Sequence, residues 1–117
     1  MRVKFTVPGR PVPAQRMTQK SKWSKRARKS LDYQEQVGWE WKAVVGKVRL
    51  EGDLAASINF FFDDNRHGDI DNLIKSVVDG LQYANAFDND KQVKKVSAEI
   101  FYDEEERAEV EIKELEE

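Results

Sequence analysis

Apolar and polar residues alternate along four stretches of the chain, and a period of two is typical of β-strands with one buried face. Residues 2–7 alternate first. Residues 54–62 follow, and their second face is also rather apolar, which predicts a strand in the middle of a sheet. Residues 96–102 and 108–112 alternate last, on either side of an acidic turn. We therefore predict four strands, the last two forming a hairpin.

Two further stretches carry apolar residues at spacings of three and four, the pattern of an amphipathic helix. Ser30 is a suitable N-cap for a first helix over about residues 31–48. A second helix is predicted over residues 70–83. The apolar stripe of the first helix consists of Tyr33, Val37, Trp41, Val44, Val45 and Val48. That of the second consists of Leu73, Ile74, Val77, Val78 and Leu81.

The order of these elements predicts an α/β (α+β) fold, a four-stranded mixed sheet packed with two main helices in the order β-α-β-α-β-β. The 117 residues contain no obvious linker, so we expect one domain over residues 1–117. The absence of cysteine excludes disulfides and thiolate metal sites. No apolar run approaches the roughly 20 residues that span a bilayer, and the start of the chain has no signal-peptide pattern. We expect a cytoplasmic protein without a membrane partner.

The net charge of −2 conceals a strong asymmetry. Residues 1–49 carry 13 Lys and Arg against three acids, whereas residues 50–117 carry seven bases against 19 acids. Binding to nucleic-acid phosphates depends on a local basic surface rather than on the total charge. The acid-free segment 16–29 is predicted to be an exposed loop, and its Trp23 suits base stacking, although a simple solvated loop has the same composition. The residues predicted to bind DNA are Arg16, Lys20, Lys22, Lys25, Arg26, Arg28 and Lys29.

Acidic residues open the predicted second helix and return after it. Asp69 and Asp71 stand at its start, Lys75 follows four residues later, and Asp90 lies beyond its end. Mg²⁺ binds oxygen ligands, usually one or two carboxylates plus substrate phosphates. A helix over residues 71–83 is about 18 Å long, and seven extended residues can return about 23–25 Å. The spacing therefore permits the three aspartates to converge on Mg²⁺ beside a phosphodiester, with Lys75 on the scissile phosphate.

The same residues also have ordinary structural interpretations. Asp69 and Asp71 can cap the helix and favour its dipole. Asp71 and Lys75 are spaced as an i,i+4 surface ion pair. The sequence Asp88-Asn89-Asp90 is typical of a loop. Only proof that the acids converge would favour a metal site over these alternatives.

Three motifs stand in a fixed order: Asp69-Ile-Asp71-Asn72-Leu73-Ile-Lys75, Asp79-Gly-Leu81 and Asp88-Asn89-Asp90-Lys91-Gln92. Together with the proline-rich opening Val7–Arg16, they resemble the RusA family of Holliday junction resolvases, which are mostly prophage-associated DNA endonucleases. The resemblance implies Mg²⁺, with Mn²⁺ as an alternative, bound by Asp69, Asp71 and Asp90. It also implies a catalytic role for Lys75 and a homodimer that makes paired nicks in a four-way junction.

The chain departs from the family pattern at two places. Asn89 stands where many members carry a further acid, so both Asp88 and Asp90 remain candidates for the third ligand, with Asp90 aligned to the Asp of Asp-x-Gln. Some members have a functional arginine directly before the first aspartate, where this chain has Gly68. That arginine role is therefore not carried over.

We accordingly expect a Mg²⁺-dependent, structure-selective DNA endonuclease that resolves four-way junctions in recombination and repair. The alternatives are a nuclease with a broader preference for branched or flap DNA, a non-catalytic DNA-binding accessory protein and a protein-interaction module. Asp79 can orient Lys75 or simply form a surface ion pair with it. Gln15 and Arg16 are expected near the active site in the manner of the family.

Overall fold

The computed structural model describes residues 1–15 and 24–115, which form a mixed four-stranded sheet with two helices. The strands are β1 (Arg2–Pro8), β2 (Leu54–Phe62), β3 (Val93–Tyr102) and β4 (Arg107–Glu114). The α-helices are α1 (Lys25–Val45) and α2 (Ile70–Tyr83), and a short 3-10 helix (Asp90–Gln92) precedes β3. This arrangement confirms the predicted fold class and element order.

The sheet has the strand order β1-β4-β2-β3. β4 pairs antiparallel with both β1 and β2, whereas β3 pairs parallel with β2 at the edge. The predicted hairpin of β3 and β4 is therefore wrong. Ala108, Val110 and Ile112 of β4 are almost fully buried, which suits an inner strand. The more polar β3 lies at the edge, where charged side chains remain in water.

Both helices pack on the same face of the sheet. The buried residues alternate along each strand, and in the strand register Phe5, Val110 and Ile58 lie side by side on this face. The core joins them to Trp41 of α1 and Leu73 of α2, both fully buried. The helices approach each other closely, since a Cβ added to Gly80 of α2 would lie 2.7 Å from the backbone oxygen of Gln34.

Helix α1 begins six residues earlier than the predicted boundary. Its N-cap is Ser24, whose hydroxyl accepts a hydrogen bond from the Ala27 N–H, and Ser30 is buried inside the helix. The helix ends at Gly46, whose φ of 70° suits glycine. Val44, predicted to be in the buried stripe, is 55% exposed. The small residues Ala27 and Ser30 extend the buried face toward the N-terminus, where the apolar pattern is too weak to reveal it.

Helix α2 has the predicted bounds, and β2 also matches its prediction. None of the helices in the two described ranges is long and apolar enough to cross a membrane.

Candidate active site

The sheet has two ends that differ in chemistry. At what we call the cleft end, β1, β2 and β3 finish and β4 begins, as the paired registers require. At the far end, β1, β2 and β3 begin and β4 finishes. Helix α2 starts at the cleft end, shortly after β2, and runs back toward the far end before β3 begins. Residues just before α2 and just before β3 therefore lie at opposite ends.

Asp69 and Asp71 lie at the cleft end, and both are exposed. Asp69 is the N-cap of α2 by backbone position, but its side chain makes no cap hydrogen bond. Asp71 lies in the first turn, and its carboxylate accepts a hydrogen bond from the Asn72 N–H at 3.0 Å. The capping interpretation therefore does not account for the Asp69 side chain, which is exposed.

Lys75 forms an ion pair with Asp79, with 3.2 Å between Nζ and Oδ2. This pair has i,i+4 spacing. It lies one turn further along α2 than the Asp71–Lys75 pair that was considered from the sequence. The lysine side chain is 62% exposed, so this contact holds it by a surface interaction of modest strength. Asp79 thus contacts Lys75 as expected, while the orienting role remains a prediction.

Arg10 connects three segments at the cleft end. Its guanidinium donates to Glu106 at 2.6 Å and to Asp64 at 3.1 Å, and it also donates to the Arg66 carbonyl. The cation lies 5.0 Å from the centre of the Phe62 ring. Arg10 therefore ties the chain after β1 to the loop before α2 and to the turn before β4, which fixes the position of that loop.

The charge network around Arg10 shifts the pKa values of two neighbouring acids in opposite directions. The pKa of Asp64 is lowered by the Arg66 N–H that it accepts and by its hydrogen bond with Arg10. The pKa of Asp63 is raised mainly by the repulsive charge of Glu106. Asp64 is therefore a structural acid of the loop, held ionised by its hydrogen bonds.

His67 packs against the end of the sheet. Its ring stacks on Phe62 with 4.8 Å between the ring centres, its Nδ1 lies 3.0 Å from the Gly68 carbonyl oxygen, and its Nε2 lies 3.1 Å from the Tyr102 hydroxyl. A carbonyl oxygen only accepts, so Nδ1 donates to the Gly68 carbonyl. His67 thus joins the loop before α2 to the end of β3.

The proline-rich segment after β1 lies against the start of α2. Ala14 donates its N–H to the Asn72 carbonyl at 2.9 Å. Gly68 allows this close approach, because an added Cβ would lie 2.7 Å from Cγ of Pro13. On the other side, the Gln15 N–H donates to the Ser30 hydroxyl at 3.3 Å, which joins the same segment to α1.

These contacts enclose an open cleft of about 470 Å³ beside Asp69. Its walls come from the segment after β1, the first turns of α1, and the loop before α2. Three cationic side chains of this wall, those of Arg26, Lys29 and Arg66, are exposed. The cleft thus combines a carboxylate with several cations that can bind phosphate oxygens.

Of the residues predicted to bind DNA, Lys25, Arg26, Arg28 and Lys29 lie in the described part of the chain. All four are exposed in α1 rather than in a loop, so the loop prediction was wrong for them. Arg26 and Lys29 are three residues apart on one helix face and line the cleft. Arg16, Lys20 and Lys22, together with Trp23, lie outside the described residues.

Asp90 lies at the far end. It belongs to the 3-10 helix before Val93, which pairs with Leu54 at the start of β2. The Gln92 side chain donates to the Gly52 carbonyl at 3.0 Å and anchors this corner. Because β2 has nine residues, the two ends of the sheet are separated by about 30 Å.

A single chain does not bring Asp90 to Asp69 and Asp71. Within residues 1–15 and 24–115, no three histidine, cysteine or carboxylate side chains lie close enough together to hold a metal ion. The segment between α2 and β3 has the length to return to the helix start, but it leads directly into β3 at the far end. The assignment of all three aspartates to one ion therefore stays a prediction that one chain cannot fulfil by itself.

The structure shows different contacts for Asp88, Asn89 and Asp90. Asp88 forms an ion pair with Arg49 at 3.5 Å. The Asn89 side chain accepts from the Lys91 N–H and caps the 3-10 helix, and Gln92 completes the capping box. Asp90 carries neither of these contacts, which favours it over Asp88 as the acid available to a ligand.

The sequence did not predict the contacts of Arg10, the position of Arg66 in the cleft or the packing of His67 against the sheet. Arg66 does not occupy the position directly before Asp69, which is Gly68, yet the loop brings Arg66 to the wall of the cleft. The clustering of Arg66 and His67 before the first aspartate was the available signal. Nothing in the sequence indicated that Arg10 would bond to Asp64 and Glu106, because those partners are 54 and 96 residues away along the chain.

No curated protein matches the chain. The sequence model of the family described as "Endodeoxyribonuclease RusA" matches residues 8–113, nearly the whole chain. That range includes both acidic motifs and every described wall of the cleft. The chain therefore belongs to the endodeoxyribonuclease RusA family.

Proposed function

We propose that the protein is a Mg²⁺-dependent nuclease that resolves four-way DNA junctions as a homodimer during recombination and repair. The observation that carries this proposal is the cleft in which Asp69 lies beside Arg26, Lys29 and Arg66. Family membership supports cleavage of DNA. Acid and base side chains in one open cleft fit a phosphodiester substrate, because the cations bind its charge and the carboxylates provide hard oxygen ligands.

The cationic wall binds the DNA backbone. Arg26 and Arg66 present planar guanidinium groups that can bind a phosphate with two parallel hydrogen bonds, and Lys29 adds a point charge. The Arg10 network holds the loop that carries Arg66, so the wall is positioned before DNA arrives. The phosphodiester is thereby placed next to the start of α2.

Asp69 and Asp71 are the residues of this end that would hold Mg²⁺. Two exposed carboxylates close in sequence suit an ion that is usually held by one or two carboxylates together with substrate phosphates. A bound Mg²⁺ supplies charge neutralisation and activation of water. Lys75 lies one turn further along α2 and would stabilise the negative charge that develops on the phosphate. Asp79 holds the lysine on the helix surface until then.

A labelled synthetic four-way junction tests the proposal. The protein should cut the junction only when Mg²⁺ is added, and flap and linear duplex DNA of the same sequence should be cut more slowly. Replacing Asp71 with Asn should reduce the rate at least about 100-fold, because a ligand to the ion is lost. Binding should be kept or strengthened, because a negative charge facing the phosphates is removed.

One control variant and a comparison of substrates separate the alternatives. Asp32→Asn, on the exposed surface of α1, should leave cleavage unchanged. Cleavage of flaps as fast as junctions would instead identify a broader branched-DNA nuclease. If Asp71→Asn keeps every activity and Mg²⁺ has no effect, the protein is a DNA-binding accessory factor and the proposal fails.

A further inference from the structure

A column of planar side chains crosses the helix face of the sheet at the cleft end. The Arg10 guanidinium lies 5.0 Å from the centre of the Phe62 ring, and Phe62 stacks on His67 with 4.8 Å between the ring centres. The His67 and Tyr102 ring centres are 6.0 Å apart, and 3.1 Å separate the His67 Nε2 from the Tyr102 hydroxyl. The column thus begins at the arginine that holds the loop before α2 and ends at Tyr102, the last residue of β3.

Tyr102 is the exposed end of this column. It pairs with Phe62 in the strand register and therefore points to the same face of the sheet. Phe62 is fully buried, whereas Tyr102 is 61% exposed, because β3 is the last strand in the order within the described ranges. The tyrosine contacts His67 through its hydroxyl, so much of the ring remains in water. A ring that is already held in place loses little conformational entropy when it binds a ligand.

The ring lies beside the wall that is proposed to bind the DNA backbone. His67 lines the cleft together with Arg66 and Asp69, and the same imidazole contacts Tyr102. The N–H of Asp103 donates to the Phe62 carbonyl at 2.9 Å, which fixes the end of β3 next to this wall. Proteins hold unpaired nucleotides with this combination of groups, since cations bind the phosphates and an aromatic ring stacks on a base.

Exposure alone does not distinguish Tyr102 from the other aromatic residues of the described ranges. Tyr83 is even more exposed, at 85%, but it lines a groove between α1 and α2 together with Trp39. Phe101 lies on the open face of the sheet, where it stacks on Phe61 with 5.1 Å between the ring centres. None of these four rings lines the cleft or contacts His67. Tyr102 therefore combines an exposed ring with a direct contact to the cleft wall.

We propose that Tyr102 stacks on a base at the branch point of the DNA and thereby favours branched DNA over continuous duplex. A base inside a continuous duplex is covered on both faces by its neighbours, and freeing it costs energy, least where it is already unpaired. A base at a branch point lacks a stacked neighbour on one side and offers that face to the ring. This inference rests on the proposed function, which supplies branched DNA as the substrate, and it adds the residue that recognises the branch.

Three variants separate stacking from the other contacts at this edge. Tyr102→Leu removes the ring, so its affinity for a labelled four-way junction should fall at least about fivefold, while its affinity for linear duplex should change less than about twofold. Tyr102→Phe keeps the ring and loses only the contact with His67, so it should keep most of the junction affinity. Phe101→Leu, on the other face of the same strand, is the matched control and should leave both affinities unchanged. Fluorescence anisotropy with Ca²⁺ in place of Mg²⁺ measures binding without cleavage.

An abasic nucleotide identifies the base that is recognised. Junctions that lack one branch-point base, at each position in turn, keep every phosphate but offer no base to the ring. At the position that Tyr102 contacts, the wild type should bind the abasic junction about as weakly as Tyr102→Leu binds the intact one. The variant should lose no further affinity there, because both changes remove the same interaction. An abasic nucleotide within an arm should affect neither protein.

Each contrary outcome has its own meaning. Junction binding by Tyr102→Leu that equals the wild type, or an equal loss for junction and duplex, overturns the stacking. A loss in Tyr102→Phe as large as that in Tyr102→Leu also overturns it, because the hydroxyl contact would then be the important one. A change in the sedimenting mass of Tyr102→Leu would assign the ring to a protein contact instead. If the wild type does not cut the junction in Mg²⁺, the proposed function fails, whereas the binding comparison in Ca²⁺ still decides the stacking.

Discussion

The two ends of the sheet use their acids in the same way, although their surroundings differ. At the cleft end, Asp64 and Glu106 bond to Arg10, while Asp69 faces the solvent. At the far end, Asp88 pairs with Arg49, while Asp90 faces the solvent. Each end thus separates acids that hold the structure together from an acid that remains available to a ligand.

The two ends differ in whether cations line a cleft beside an acid. The cleft end adds Arg26, Lys29 and Arg66 in one wall, and these can bind phosphates. Arg49 at the far end is instead engaged with Asp88. We therefore expect DNA to lie across the cleft end.

Separate substitutions of the two far-end acids, Asp88 and Asp90, are expected to give the largest difference in cleavage rate. Asp90→Asn should reduce junction cleavage at least about 100-fold, because the family resemblance implies that Asp90 is a metal ligand. Asp88→Asn should lower cleavage less than about threefold, because it loses only an exposed ion pair with Arg49. Rates measured at saturating DNA check this. Equal loss in both variants, or loss only in Asp88→Asn, would contradict the distinction between the acids of this corner.

Replacing cations at each end should affect DNA binding to a smaller extent. Arg66→Gln should weaken binding and reduce the slope of log K against log salt concentration by about one, because one phosphate contact is lost. Arg49→Gln at the far end should leave the slope unchanged. Fluorescence anisotropy over a range of salt concentrations, in the presence of Ca²⁺ to prevent cleavage, provides the measurement. An equal change in both variants would show that DNA also lies on the far end.

The smallest expected effects are changes in the stability of the fold with pH, and they concern two neighbouring acids at the cleft end. The pKa of Asp64 is lowered in the folded protein by hydrogen bonds with Arg66 and Arg10. Its ionised form therefore stabilises the fold above the unfolded pKa of about 3.9, and this contribution disappears as the pH falls through the lower folded value. Asp64→Asn should destabilise the protein at pH 7, and the difference from the wild type should shrink below about pH 4.

Asp63 provides the matched control with the opposite sign. Its pKa is raised mainly by Glu106. The ionised carboxylate is therefore unfavourable in the fold, and the contribution that favours folding below the unfolded pKa is lost as the pH rises through the folded value. Asp63→Asn should stabilise the protein slightly at pH 7. Urea unfolding at several pH values measures both variants, and a shift of the same sign in both would contradict this account of the loop.

The sequence predicted those elements whose apolar period is strong. The bounds of α2 and β2 follow from their regular alternation, and the resemblance in the acidic motifs correctly indicated the family. The start of α1 was missed because Ala27 and Ser30 are small, and a small buried residue contributes little to a hydrophobic pattern. The order of the last two strands was missed because the sequence pattern does not show which strands are neighbours.

The candidate site was also predicted only in part from the sequence. Asp69, Asp71 and Lys75 were found because they lie on one helix, where spacing along the chain determines spacing in space. The cleft was not found, because its walls come from three segments joined by long-range contacts such as those of Arg10. Arg66 therefore lies in the site because of long-range contacts, which no local sequence pattern shows.

By itself, the sequence determined the fold class, the family and the identity of the candidate acids, because periodicity and motif spacing are local properties of the chain. Only the tertiary structure decided where those acids lie. The parallel pairing of β2 with β3 requires α2 to carry the chain back along the sheet, so Asp71 and Asp90 are placed at opposite ends. Their distance depends on the direction of a strand, and strand direction is a property of pairing rather than of composition.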